Sequence, residues 1–234
     1  MTDRDQRTGF TLIELLIVIA ILAILVALTA GASIRVLQEQ TQKNTELLIQ
    51  KIDRMLRTQW QAALEQANAD ALPPGMDRVT FVRMRLAQEF PMNFGEARAL
   101  YGPQLARAGA HGQGESAACL YMALQRNRKG SSLDAGVSFS PKELRDPVGD
   151  GLLEFTDYWG EPLFFFRRYP LGDKLSYLDG PDHNYPVPIV VSKGRDKMLG
   201  LRVSTDFQAM MILNAQQEQD NIYNDIRFGG RGGG

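Results

Sequence analysis

Between Phe10 and Gly31 the chain carries a single charge, Glu14, and 14 of these 22 residues are Leu, Ile, Val or Phe. As a helix rising 1.5 Å per residue the segment covers about 33 Å, enough to cross a bilayer. Each large aliphatic residue contributes about −0.3 to −0.6 kcal/mol to insertion, so together they outweigh one acid costing about 3 kcal/mol. The expectation is a membrane-spanning helix that takes Glu14 in with it. An acid so placed either snorkels to the headgroups or has a partner and a function.

The residues before this segment decide between those readings. Met1 to Gly9 is polar, and no small-residue cleavage site follows the apolar run, so this is not a secretory signal peptide. Arg4 and Arg7 favour a cytoplasmic N-terminus, because Asp3 and Asp5 count little in orientation. Residues after about 35 are then outside. The polar leader ending in Gly9, then Phe10, Thr11, Leu12-Ile13-Glu14 and an unbroken apolar run, closely resemble the class III signal of type IV pilins and pseudopilins. The resemblance implies that a prepilin peptidase cuts between Gly9 and Phe10 and methylates the new amine of Phe10. It also implies an assembly role for Phe10 and Glu14. The freed amine and the acid lie one helical turn apart, so they neutralise each other within a subunit or between staggered subunits. Such a pair is strongly distance-dependent in low dielectric, and an unpaired acid there is penalised. Gly31 stands where many relatives have a helix-loosening proline; glycine weakens a helix by about 1 kcal/mol relative to alanine.

The apolar segment is expected to continue as an amphipathic helix. Ser33 to Leu72 contains no Pro or Gly, and Leu37, Thr41, Thr45, Leu48, Ile52, Leu56, Ala63 and Ala67 recur at helical spacing, with Ile49 and Trp60 beside them. Pro73-Pro74-Gly75 ends it. A coiled-coil dimer is the rival, but strict heptads are not sustained. The resulting division is a cleaved leader at 1–9, a transmembrane and filament-core half at 10–32, an amphipathic half at 33–72, a periplasmic head at 73–228 and a disordered tail at 229–234.

Within the head, 76–130 reads as a helical insertion. Asp77 is a candidate cap for a helix ending before Pro91, a second helical stretch runs from Phe94 to Arg107 interrupted by Gly102-Pro103, and a third covers Glu115 to Arg128 with Cys119, Leu120, Ala123 and Leu124 inward. Ala108 to Gly114 reads as a flexible loop. It lacks the lysine of a phosphate-binding loop and follows no strand, which argues against nucleotide binding. From 137 to 228 strands and turns take over. Pro141 to Arg145 reads as a short turn of helix, Leu152–Phe155 and Pro162–Arg168 as strands around Asp157–Gly160, and Pro186–Ser192 as an edge strand. Phe207 to Leu213 fits strand or helix. The fold class expected is α+β and pilin-like: a long N-terminal helix against a head with extra helices and a small antiparallel sheet.

Composition closes other routes. Net charge is −1 with a pI near 6.2, which argues against bulk-charge binding of nucleic acid. Cys119 is the only cysteine, so no internal disulfide forms, and its apolar surroundings suit a buried thiol rather than a nucleophile. His111 and His183 lie in Gly/Pro-rich sequence and suggest no zinc site.

A second resemblance lies in the head. Asp157-Tyr158-Trp159-Gly160-Glu161-Pro162 is similar to an Asp-x-Trp-Gly-x-Pro segment of the major pseudopilin of type II secretion. By residue type, Trp159 reads as a core anchor and Gly160 as a turn residue. Ser192-Lys193-Gly194-Arg195-Asp196 and Asp220-Asn221-Ile222-Tyr223 resemble that family's calcium loop, which implies calcium with Asp196, Asp220 and Asn221 as ligands and Asp225 in reserve. Lys197 replaces the family's glycine and Asn221 its second aspartate, and 23 residues separate Asp196 from Asp220 where relatives have far fewer. The acidic loops Asp146–Asp150 and Asp179–Asn184 match no complete calcium motif.

These resemblances imply a structural subunit without enzymatic activity, made as a single-pass inner-membrane precursor and polymerised into a periplasmic pseudopilus. Its implied partners are other pilin-like subunits, the prepilin peptidase, a cytoplasmic ATPase, a membrane platform and lipid, with no nucleic acid. A surface pilus subunit for adhesion, motility or DNA uptake is the nearest alternative, and a membrane-anchored periplasmic enzyme a remote one.

Overall fold

The computed structural model describes residues 11–126, 139–167, 188–199, 201–203, 210–212 and 221–223, with side chains outside 28–35, 201–203 and 210–212. The expected leader, the residue pair Gly9 and Phe10, His183, Asp220, Asp225 and the tail lie outside the described residues. The elements are those of an α+β protein with a long N-terminal helix, further helices and small antiparallel sheets. Two compact units are distinguished, one ending at Thr41 and one beginning at Gln42.

The first unit is the start of α1 (Leu12–Ala69). Its described aliphatic side chains are exposed all round, from Leu12 at 82% through Leu16, Ile19 and Leu22 to Val26 at 66%. A helix apolar on every side requires an apolar environment or a partner. Leu37, counted in the apolar stripe, is exposed as well. Among the described residues, no helix is long and apolar enough to cross a membrane.

In the second unit the rest of α1 supplies one wall of the core. Thr45, Leu48, Ile49, Ile52, Leu56, Trp60, Ala63 and Ala67 are buried, the stripe that the spacing predicts. The helix ends at Ala69, just short of Leu72. The Arg78 guanidinium then donates to the carbonyls of Ala67 and Asp70, satisfying acceptors that a helix end leaves open.

The insertion folds as three helices. Asp77 caps α2 (Arg78–Glu89) by accepting the Thr80 amide at 2.9 Å, and Asn93 caps α3 (Phe94–Tyr101) by accepting that of Glu96. Gly102-Pro103 stops α3, and a 3-10 turn follows at Gln104–Arg107. α4 (Glu115–Gln125) buries Cys119, Leu120, Ala123 and Leu124. Arg167 forks onto both oxygens of Glu96 at 2.6 and 2.8 Å and reaches the Phe90 carbonyl at 2.7 Å, fastening the insertion to the sheet.

The strands are short and antiparallel. β1 (Leu144–Arg145) pairs with β2 (Glu154–Phe155), so Pro141–Arg145 is a turn running into a strand rather than a turn of helix. β3 (Phe164–Phe166), β4 (Ile189–Ser192) and β7 (Ile222–Tyr223) form one sheet, and β5 (Leu201–Val203) pairs with β6 (Met210–Ile212). β4 is therefore a central strand, not an edge. Pro188 stops short of the paired residues, so every amide from Ile189 to Ser192 can join a ladder. The ambiguous stretch around Met210–Ile212 is a strand.

Candidate functional site

Three constellations hold the residues singled out in the sequence. The first is the start of α1. Thr11 precedes the helix, and its hydroxyl accepts the Glu14 amide at 3.3 Å while a Glu14 carboxylate oxygen accepts the Thr11 amide at 2.8 Å. The Thr11 hydroxyl also donates to that oxygen at 2.8 Å. This reciprocal pair is a capping box, which meets amides that the first turn leaves without partners. The negative charge also lies at the positive end of the helix dipole. The Thr-x-x-Glu spacing is the sequence signature of this box. Glu14 therefore has a partner inside its own chain, Thr11.

The second constellation joins the Asp157 turn to the loop after β4. Asp157 is fully buried and accepts the amides of Trp159 at 3.0 Å and Glu161 at 2.9 Å, plus the Ser192 hydroxyl at 2.6 Å. The Ser192 hydroxyl in turn accepts the Gly194 amide at 3.1 Å. Burial pushes the Asp157 carboxyl above its usual range, and the Ser192 bond opposes that shift. Gly160 sits at φ 86°, the left-handed geometry the turn requires. Trp159 is only half-buried, so the anchor of the Asp-x-Trp-Gly segment is its aspartate, not its tryptophan.

Of the expected calcium ligands, Asp220 lies outside the described residues. Asp196 is exposed and accepts the Met198 amide at 2.7 Å. Asn221 is buried; its Nδ2 donates to the Leu199 carbonyl at 2.6 Å, and its Oδ1 has no partner among the described residues. Among the described residues no group of three His, Cys, Asp or Glu is placed to hold a metal. Calcium takes six to eight oxygens. Of these, the described residues among the expected ligands offer the Asp196 carboxylate and the Asn221 Oδ1.

The third constellation was not anticipated. His111 reads from sequence as part of a flexible loop, yet its side chain is fully buried between two carboxylates. Its Nε2 meets Asp150 at 2.8 Å and its Nδ1 meets Glu154. Asp150 also accepts the Gly109 amide at 2.6 Å, which ties the loop down at a second point. A Cβ at Gly114 would collide with the Glu154 carboxylate, so a larger residue there would have to push that carboxylate off the His111 ring. Nothing local in the sequence signals this, because the partners are some 40 positions downstream. Cys119 is buried in α4 with its thiol pKa pushed up by burial, which keeps it from acting as a nucleophile.

No curated protein and no solved structure matches the chain. The prokaryotic N-terminal methylation motif matches residues 4–30, a span that takes in Gly9, Phe10, Thr11 and Glu14. The chain thus carries the class III prepilin signal shared by type IV pilin-like proteins, pseudopilins among them.

Proposed function

We propose that the chain is a structural subunit of a pseudopilus of a type II secretion-type system. In this reading it is inserted in the inner membrane with its N-terminus cytoplasmic, cut between Gly9 and Phe10 by a prepilin peptidase, and polymerised. The pilin-like part of this reading is carried by the methylation motif over residues 4–30, on the part of α1 whose described aliphatic side chains are exposed on every side. The choice of a pseudopilus rests on the resemblance of Asp157–Pro162 to the major pseudopilin segment. Burying one such side chain is worth about 1.5–3 kcal/mol, so removal from water, first into lipid and then against neighbouring helices, dominates the energetics. Packing of the head supports a mechanical role, since Asp157, His111 and Arg167 serve internal bonds.

Glu14 supplies the electrostatic register in this mechanism. Its carboxylate, satisfied by Thr11 within the chain, exchanges or shares that partner with a methylated amine of Phe10 when subunits stack. The Glu14→Val variant keeps an apolar helix, inserts and is processed, but fails to enter filaments. Normal assembly of Glu14→Val refutes the role. The second reading, a surface pilus subunit, is separated by imaging whether the filament stops in the periplasm or extends from the cell.

A further inference from the structure

The loop after β4 carries its own cations. From Ser192 to Leu199 there are three basic residues, Lys193, Arg195 and Lys197, and one acid, Asp196. A loop built to hold a divalent cation concentrates acids and carbonyl oxygens instead. Lys193 and Lys197 converge on Glu161, immediately after the Asp157 turn, one ammonium on each carboxylate oxygen at 3.1 and 3.2 Å. Lys193 is almost wholly buried and also donates to the Gln113 side chain at 2.7 Å, reaching the turn that follows His111.

The two substitutions within the pseudopilin calcium pattern both add a hydrogen-bond donor. Where that pattern has glycine, Lys197 keeps the left-handed backbone at φ 61° and spends its side chain on Glu161. It is the only described non-glycine residue with positive φ. A lysine in this conformation costs energy that glycine avoids, so its retention there needs a compensating contact. Where the pattern has a second aspartate, Asn221 uses its amide to hold the Leu199 carbonyl, an oxygen thereby engaged by a donor rather than left open to a cation.

We infer that this loop is stapled in place of a divalent cation by the Lys193 and Lys197 ammonium groups, which share Glu161 as their acceptor, and by the Asn221 amide on the Leu199 carbonyl. The staple does not depend on whether the chain forms filaments, and its test is a readout on the loop itself. The full chain in detergent micelles is followed by hydrogen exchange of residues 192–199, with chelator and with excess calcium at constant ionic strength. The expected result is the same exchange in both. In Glu161→Gln and in the exposed-site variant Lys197→Met, exchange rises between about twofold and tenfold, the range for losing one or two partly exposed pairs. Slower exchange with calcium in the unmodified chain overturns the inference. Unchanged exchange in Lys197→Met overturns it too, including where Glu161→Gln fails to fold.

Discussion

Thr45, buried on α1, accepts the backbone amide of Tyr158 on its hydroxyl at 3.2 Å, across 113 positions of sequence. The bond seats the Asp157 turn on the part of α1 that belongs to the second unit. Thr45→Val keeps the shape and removes the acceptor, leaving that amide unmet. The cost is about 1 kcal/mol, the low end for an unsatisfied amide, because the bond is only part-buried. Denaturant unfolding followed by tryptophan fluorescence checks it.

Phe90 ends α2 fully buried, with its ring 5.1 Å from that of Trp60 on α1. Phe90→Ala removes most of that contact and leaves a cavity beside Trp60, costing about 3–5 kcal/mol. The same unfolding measurement reads the loss, and the native fluorescence shifts as Trp60 loses its neighbour.

His111 makes stability depend on pH. Two contacts between a ring and two carboxylates need two hydrogens, donated by an imidazolium or by an imidazole plus one carboxylic acid. Burial works against the charged ring, but the bonds to Glu154 and Asp150 outweigh it and raise the His111 pKa; burial raises that of Glu154. The folded cluster therefore holds its shared proton more tightly than the unfolded chain. This stability is fully present below the unfolded histidine value of about 6.5 and is lost as pH rises through the folded value. Asp150 has the opposite sign. Burial opposes its ionisation, yet the amides of Gly109 and Leu152 and the ring of His111 bring it down to about 2. Its contribution is present above the unfolded value of about 3.8 and is lost as pH falls towards the folded one. Melting temperature should fall on both sides of a mildly acidic maximum, and His111→Gln should lower that maximum and leave, on the alkaline side, only the limb set by the buried Glu154.

Local signals in the chain were the readable ones. The stripe from Thr45 to Ala67, the Asp77 cap, the stop at Gly102-Pro103 and the inward face of α4 all follow from spacing and capping chemistry within a few residues. What escaped depends on distant partners. Whether β4 lies at an edge is set by β3 and β7, and prolines beside the paired stretch gave the wrong answer. Trp159 has the composition of an anchor, but the Ser192 hydroxyl and two amides made Asp157 the buried residue. His111 gave no hint of its carboxylates because they arrive from another loop.

The most direct measurement is the mass and N-terminal sequence of the protein recovered from native membranes and from sheared filaments. The predicted result is a chain that begins at an N-methylated Phe10 and is enriched in the filament fraction. A chain that retains Met1 to Gly9 and never appears in filaments would contradict a processed, polymerising subunit.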